Sequence, residues 1–577
     1  MPDTFMRLGR SPAALLALLA ALQAEGAAPK PAPVAKVPAR PALVIVIAVD
    51  GLGWPRLAEY RPWFVAGFKR LLDEGHVETA CRYRHLNTET GPGHASIGTG
   101  APPRIHGIVG NVWYQAGPDG KVQSLYCTDE VAADGTEIAS ATNLRIPTLG
   151  DRLVETYPGS RVVSISGKDR SSIFLAGHER RHAPYWFSSR VGEFVTSPAY
   201  EPPEVVRKVV ARVNAETLGE KLAARFGLDW QPLAVPEGAE PRPTAVPAAI
   251  LQDFQIPGVG LGWNHSLAGK RYGSAFASTP FADVLLADLA VALLQSDEIG
   301  LGRGKTPDLL AMSFSAHDPI SHYYGAESEE ALDALRRLDI ALGRVLDAAA
   351  ARVGKERIVL GLSADHGFAP IPEAARARDA KYAGGRLTDG RRTMVDFVQR
   401  LDRYIAQELC LPEGTRTLLG NHGWTLSYDR AALPLRTAAG PCGEEGHAVT
   451  AIDIDRVLPA AVRRLYSEEV EGVWLVSERD RWPADHPATE YVRNAFDAER
   501  SGDALLVPRP GVMVHWDPGR GSTHGTHHDH DTHVPLVFWG AFTAGLSAEP
   551  STPYDLAPTL AARLGLEMKT ASGRARQ

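Results

Sequence analysis

A chain of 577 residues that is 44% hydrophobic and 22% charged carries ample apolar material for a large core, and it is several times longer than a single core requires. Its formal net charge of -7 is small for that size and argues against a basic nucleic-acid-binding surface. One large domain with sizeable insertions, or two domains, is expected.

At the N-terminus, Arg7 and Arg10 precede an apolar run from Pro12 to Leu22, which ends in the small-residue stretch Ala24-Glu-Gly-Ala-Ala28. Residues 1–28 read as a signal peptide, which places the mature chain in the periplasm or outside the cell. The run is short for a bilayer, so no stable membrane span is expected after cleavage. Residues 29–41, rich in Pro and Ala, read as a linker.

The fold is expected over 42–567, with a C-terminal tail at 568–577. It opens on the continuous apolar run Ala42 to Val49, closed by Asp50 and Gly51, as suits a central strand buried on both faces. Further on, Asn87-Thr-Glu-Thr90-Gly-Pro-Gly-His94 sets a hydroxyl at the entry to a Gly-rich turn and helix. There a metal can deprotonate it, and helix N-terminal amides favour an anion. By composition alone Thr90 is better explained as a helix N-cap, and Thr88 is a rival for the same chemistry.

Apolar runs recur at Arg161 to Ser166, Asp308 to Phe314 and Arg357 to Ser363, with helical periodicity from Glu327 to Arg352 between the last two. Strands alternating with helices predict an α/β fold with a mostly parallel central sheet flanked by helices. Two stretches fit the alternation poorly, about 191–304 and about 370–507, and read as cap-like insertions. Near the C-terminus, Tyr554 to Leu564 has the spacing of an amphipathic helix.

The four cysteines, Cys81, Cys127, Cys410 and Cys442, lack metal or haem spacing. An oxidising compartment permits bridges, and spacing favours Cys81 with Cys127 and Cys410 with Cys442; structural bridges or buried thiols are the expected roles.

The residues with chemistry gather just after predicted strands, where open α/β sheets bind their ligands. Asp50 closes the first, Lys168 and Arg170 follow the second, Asp318 and His322 the third, Asp365 and His366 the fourth. Carboxylate plus imidazole, twice over, suits zinc, and paired divalent ions serve phosphoryl transfer. The turn at Asp365-His366 is expected to use the freedom of Gly367. Five histidines crowd the stretch from His524 to His533. His524, flanked by small residues, is the better candidate ligand; His527, His528 and His530 read as a surface tract.

These motifs together resemble the alkaline phosphatase superfamily. They run in order as Val49-Asp50-Gly51, Thr90-Gly-Pro-Gly-His94-Ala-Ser, His106-Gly-Ile-Val-Gly-Asn111-Val-Trp-Tyr114, Gly167-Lys168-Asp-Arg170, Asp318-Pro-Ile-Ser-His322, Ser363-Ala-Asp365-His366-Gly367 and Thr523-His524-Gly525. The resemblance implies an alkaline-phosphatase-like core holding two Zn2+ ions. Asp50, Thr90, Asp365 and His366 would hold the first, Asp318, His322 and His524 the second. It also implies Thr90 as nucleophile, a phosphothreonine intermediate, and Asn111 bonded to a phosphoryl oxygen. Lys168 and Arg170 look like the Lys-x-Arg pair of the monoesterase branch, so small-molecule phosphate monoesters are the expected substrates. A nucleotide pyrophosphatase or phosphodiesterase on the same fold is the alternative, and a silent metal-binding protein the reading from another class.

Overall fold

Seven consecutive apolar residues form β1 (Leu43–Val49), and all seven are buried. In chain order there follow β2 (His76–Glu78), the hairpin β3 (Val112–Ala116) and β4 (Val122–Tyr126), then β5 (Val162–Ser166), β6 (Ala183–Ser188), β7 (Glu193–Val195), β8 (Asp308–Phe314) and β9 (Ile358–Ser363). Next come β10 (Leu418–His422), β11 (Thr425–Tyr428), β12 (Val470–Leu475), β13 (Ala504–Pro508), β14 (Leu536–Gly540) and β15 (Gly545–Ser547). The structure is a computed structural model, and it describes residues 41–576 apart from 117–121, 133, 218–219, 240–264, 269–271, 383, 385–393, 439–445 and 514–519. The expected signal peptide and nearly all of the linker lie outside the described residues.

The main sheet has nine strands in the order β15-β2-β14-β9-β1-β8-β5-β6-β7. From β9 through β1, β8 and β5 to β6 all neighbours are parallel, while β14 joins β9 antiparallel. β1 therefore has a parallel partner on each side and no solvent face, which is why it reads as an unbroken apolar run. Each buried Val or Ile there contributes about 1.5–3 kcal/mol of transfer free energy.

The helices used below are α1 (Thr90–Thr99), α2 (Leu149–Thr156), α3 (Asp169–Ala176), α4 (Pro280–Gln295), α5 (His317–Tyr324), α6 (Glu329–Val353), α7 (Met394–Glu408), α8 (Ala451–Tyr466) and α9 (Leu556–Leu564). α6 begins where the Ser328 hydroxyl accepts the Ala331 N–H at 3.0 Å. α4 packs along it.

The two expected insertions differ. The described part of 191–304 joins the main core through Val206, Trp230, Leu285 and Leu289. Most of 370–507 instead builds a second core, with Phe397, Leu401, Leu426, Leu458, Val492 and Leu505 packed around the antiparallel sheet β10-β11-β13-β12. Among the described residues, only this second stretch has a core largely of its own.

Of the two pairings that spacing favours, the one between Cys81 and Cys127 is not made. Cys81 and Cys127 are buried and free. The Cys81 backbone pairs with Ser551 as an isolated parallel strand pair beyond β2, while Cys127 follows β4 and lies against Gly91. They serve different elements, so proximity in sequence does not bring their sulfurs together. Cys410 is disulfide-bonded, and its partner lies outside the described residues. Among the described residues no helix is long and apolar enough to cross a membrane.

Candidate active site

The C-terminal ends of β9, β1, β8 and β5 are neighbours in the sheet, so the residues that follow these strands meet at one edge. Asp50, Asp318, Asp365 and His366 are all buried there. The Lys168 ammonium lies 2.6 Å from Asp50 Oδ2 and 2.7 Å from Asp318 Oδ2. His366 Nε2 is 3.5 Å from Asp50 Oδ1 and 3.5 Å from Asp365 Oδ2. His322 Nε2 and His524 Nε2 are 3.4 Å and 3.6 Å from Asp318 Oδ1. Two ligand-like groups result: Asp318 with His322 and His524, and Asp50 with Asp318 and His366.

The imidazoles are oriented for metal binding. Each turns Nδ1 to a main-chain carbonyl: His322 to Ser522 at 3.0 Å, His524 to Thr88 at 2.7 Å and His366 to Gly367 at 3.0 Å. A carbonyl only accepts, so Nδ1 carries the proton and Nε2 presents a lone pair to the carboxylates. Burial lowers all three below the ordinary 6.5, His524 to about 4, which keeps them neutral. Asp50 Oδ1, Asp318 Oδ1, Asp365 Oδ2 and His366 Nε2 are buried with no hydrogen-bond partner among the described residues. Buried polar atoms are almost always paired, so four such atoms facing one another fit a pair of cations. The donor set, carboxylate oxygen and imidazole nitrogen, suits zinc.

Charge at this edge is strongly coupled. Burial and the neighbouring Asp365 push Asp50 well above its ordinary value. Against burial, Lys168 holds Asp318 well below its own. Burial also works against the Lys168 charge, but Asp318 and Asp50 raise it above the ordinary 10.5, so the ammonium stays protonated.

Thr90 opens α1, with Lys168 Nζ at 3.4 Å and Arg170 NH2 at 3.2 Å from its Oγ1. Thr88 is differently employed. Its hydroxyl donates to the Thr526 carbonyl at 2.8 Å, and its own carbonyl orients His524. Asn111 Oδ1 accepts the Gly91 N–H at 2.7 Å, so its amide NH2 is left to donate to a ligand. The Asn111 N–H is held by Glu89 Oε2 at 2.7 Å. Gly93 lets α1 lie against β9, since a Cβ there would sit 2.5 Å from Asp365 Cβ. Gly367 serves space in the same way: a Cβ would lie 2.2 Å from the His530 carbonyl, and its φ is not in the positive region.

Several residues with a hand in the site have no role assigned from the sequence. His94 turns Nδ1 toward the Thr90 carbonyl at 2.9 Å and Asp365 Oδ2 at 3.3 Å, tying helix to strand end. Glu89 and the carbonyls of Thr88 and Ser522 act only through their partners. The His tract is not a surface tract. His528 bonds the Pro508 carbonyl at 2.9 Å, His533 the Thr79 carbonyl at 2.8 Å, and His530 lies 3.3 Å from the Thr526 hydroxyl. Burial lowers His527 to about 3 and His530 to about 4. These rings brace the loop that carries His524.

Comparison with known proteins agrees with this geometry. Residues 44–533 match the family described as type I phosphodiesterase / nucleotide pyrophosphatase. Alkaline phosphatase PhoD of Zymomonas mobilis subsp. mobilis is 29% identical over 91% of this chain and 86% of its own. Alkaline phosphatase PafA of Elizabethkingia meningoseptica is 27% identical over 92% of both. The crystal structure of wild-type PafA superposes with a TM-score of 0.75 at 26% identity, covering 93% of this chain and 98% of that one. The match across most of the chain, on a shared fold, shows that this protein belongs to the type I phosphodiesterase / nucleotide pyrophosphatase family of the alkaline phosphatase superfamily.

Proposed function

We propose that this phosphatase is an exported, periplasmic or secreted, enzyme that hydrolyses small phosphate monoesters on Thr90, with two Zn2+ ions as cofactors. The observation that carries the reading is the approach of two fixed cations, Lys168 at 3.4 Å and Arg170 at 3.2 Å, to the one hydroxyl that opens α1. A monoester presents a third non-bridging oxygen that a diester caps with a second organic group. Two cations against those oxygens favour the monoester transition state and leave little room for the second substituent. This favours monoester over diester chemistry in a family whose description names phosphodiesterases.

Asp50, Thr90, Asp365 and His366 would hold one ion, and Asp318, His322 and His524 the other. When bound, the pair supplies the charge that ionises the Thr90 hydroxyl and stabilises the leaving oxygen. Thr90 Oγ1 then forms a bond to phosphorus as the ester P–O bond breaks and the alcohol leaves. Water attacks the phosphothreonine, the P–Oγ1 bond breaks, and inorganic phosphate departs. Asn111, Lys168 and Arg170 hold the transferred oxygens through both steps.

The test is the double variant Lys168→Ala/Arg170→Ala assayed on a phosphate monoester and a matched methyl diester. Monoester kcat/KM is expected to fall roughly 10³-fold, the scale of losing fixed transition-state donors, and diester kcat/KM much less. Equal losses reject monoester specificity.

A further inference from the structure

We infer that Tyr126 is a positioning residue that sets the Arg170 guanidinium for phosphoryl binding, and that the β3–β4 hairpin couples the two sides of the phosphoryl site. The inference rests on the reading that Arg170 binds the transferred group.

The Tyr126 hydroxyl has two partners, and chemistry fixes the direction of each. It donates to Asp169 Oδ1 at 2.8 Å and accepts from Arg170 NH1 at 2.8 Å. A guanidinium only donates and a carboxylate only accepts, so the phenol must be neutral and turned one way. Burial pushes its ionisation far above the ordinary range, in keeping with that role. Arg170 NH1 lies 3.9 Å from Asp169 Oδ1, too far for a direct hydrogen bond, so the tyrosine relays the carboxylate to the guanidinium. Asp169 is itself held by the Arg170 main-chain N–H at 2.7 Å and faces the Thr128 hydroxyl at 3.4 Å.

One edge of the guanidinium is thereby pinned away from the nucleophile, and NH2 points at Thr90 Oγ1. Arg170 Nε is buried with no hydrogen-bond partner among the described residues. An arginine fixed at one nitrogen loses less freedom on binding an anion than one fixed by nothing.

The hairpin adds a second link. Val112, which follows Asn111, pairs with Tyr126, and the Cys127 N–H donates to the Asn111 carbonyl at 2.9 Å. Asn111 stands at the entry of the hairpin and Tyr126 at its exit, so one rigid ladder carries a donor to the phosphoryl group on one side and the brace of its arginine on the other.

The experiment uses the zinc-loaded full-length enzyme carrying Tyr126→Phe. Monoester kcat/KM and the affinity for inorganic phosphate as inhibitor are expected to fall roughly tenfold, the weight of one hydrogen bond to a charged group, with the thermal midpoint unchanged. Diester hydrolysis should hardly change. In an Arg170→Ala background, Tyr126→Phe should add no further loss, because the group it positions is gone. Asp169→Asn, which weakens the relay from its other end, should reproduce the pattern.

A Tyr126→Phe loss that persists in the Arg170→Ala background, one that falls equally on diesters, or no loss at all overturns the inference. If Lys168→Ala/Arg170→Ala discriminates between esters while Tyr126→Phe is silent, only the positioning role fails. If that double variant loses both activities equally, the monoester reading itself fails.

Discussion

The main core and the second core are both well packed, and the candidate site gathers at the edge of the first. Around β1 the parallel strands end at one edge, and each delivers an acid, a base or a cation to it. The antiparallel sheet β10-β11-β13-β12 sends its strand ends in alternating directions, so no edge collects side chains from all of them. Its contribution is made by small contacts from outside. Asn87 accepts the Trp424 N–H at 3.1 Å and donates to the Thr425 hydroxyl at 3.2 Å, which braces the loop leading to Thr90. Parallel topology gathers the candidate site; the appended antiparallel unit steadies loops of it, at Asn87 and, through the Pro508 carbonyl, at His528.

The sharpest way to break that contrast is at Thr90, the proposed nucleophile. Thr90→Ala is expected to cut turnover by roughly 10³-fold or more while metal analysis still finds both ions, because the carboxylates and imidazoles of the main core remain. Thr88→Ala, which leaves that main-chain carbonyl on His524, should retain most of the activity; the reverse ranking would move the chemistry to Thr88.

An intermediate effect is expected in the second core. Leu458 is fully buried there, and Leu458→Ala should cost about 2–5 kcal/mol in a denaturant titration. At a temperature where the variant is folded, kcat/KM should stay close to that of the parent. A large loss of activity in the folded variant would show that the second core shapes the site itself.

The smallest effect concerns charge in the main core away from the site. His178 Nδ1 donates to Asp151 Oδ2 at 2.7 Å, and His182 Nε2 lies 3.2 Å from Asp151 Oδ1. Burial opposes the charge on His178, but the bond to Asp151 outweighs it and raises His178 above 6.5. Burial likewise opposes the charge on Asp151, whose hydrogen bonds from His178 and His182 hold it well below 3.8. A raised histidine stabilises fully below its unfolded value and loses that contribution as pH rises through the folded one. The depressed aspartate contributes above its unfolded value and loses it as pH falls through the folded one. The pair therefore works between about pH 4 and 6.5 and weakens on either side. His178→Gln should cost more stability at pH 5.5 than at pH 8.5, read as the shift in denaturant midpoint. An equal cost at both would assign His178 a neutral role.

Much of the main core was legible in the sequence because strands buried on both faces have no polar face to obscure them. The expected runs at 161–166 and 357–363 differ from β5 and β9 by one residue at their start. The second core was harder to read. Its strands are four to six residues long and none alternates cleanly: β10 and β12 mix buried with partly exposed positions, while β11 and β13 are buried throughout, so 370–507 reads only as mixed pattern. The same limit applied to the cysteines, where spacing suggested a bridge that packing does not make.

The amino-acid sequence alone determined which residue types stand at the ends of the parallel strands. A buried strand is an apolar run, and the first acid, lysine or histidine after it marks the sheet edge. Only the tertiary structure decided which of these atoms face one another. Thr90 is separated from Thr88 by the cations at its hydroxyl, and the three candidate ligand histidines are set by carbonyls, the nearest one residue away and the farthest 436 residues away. Such partners are chosen by three-dimensional packing, and proximity along the chain carries little information about them.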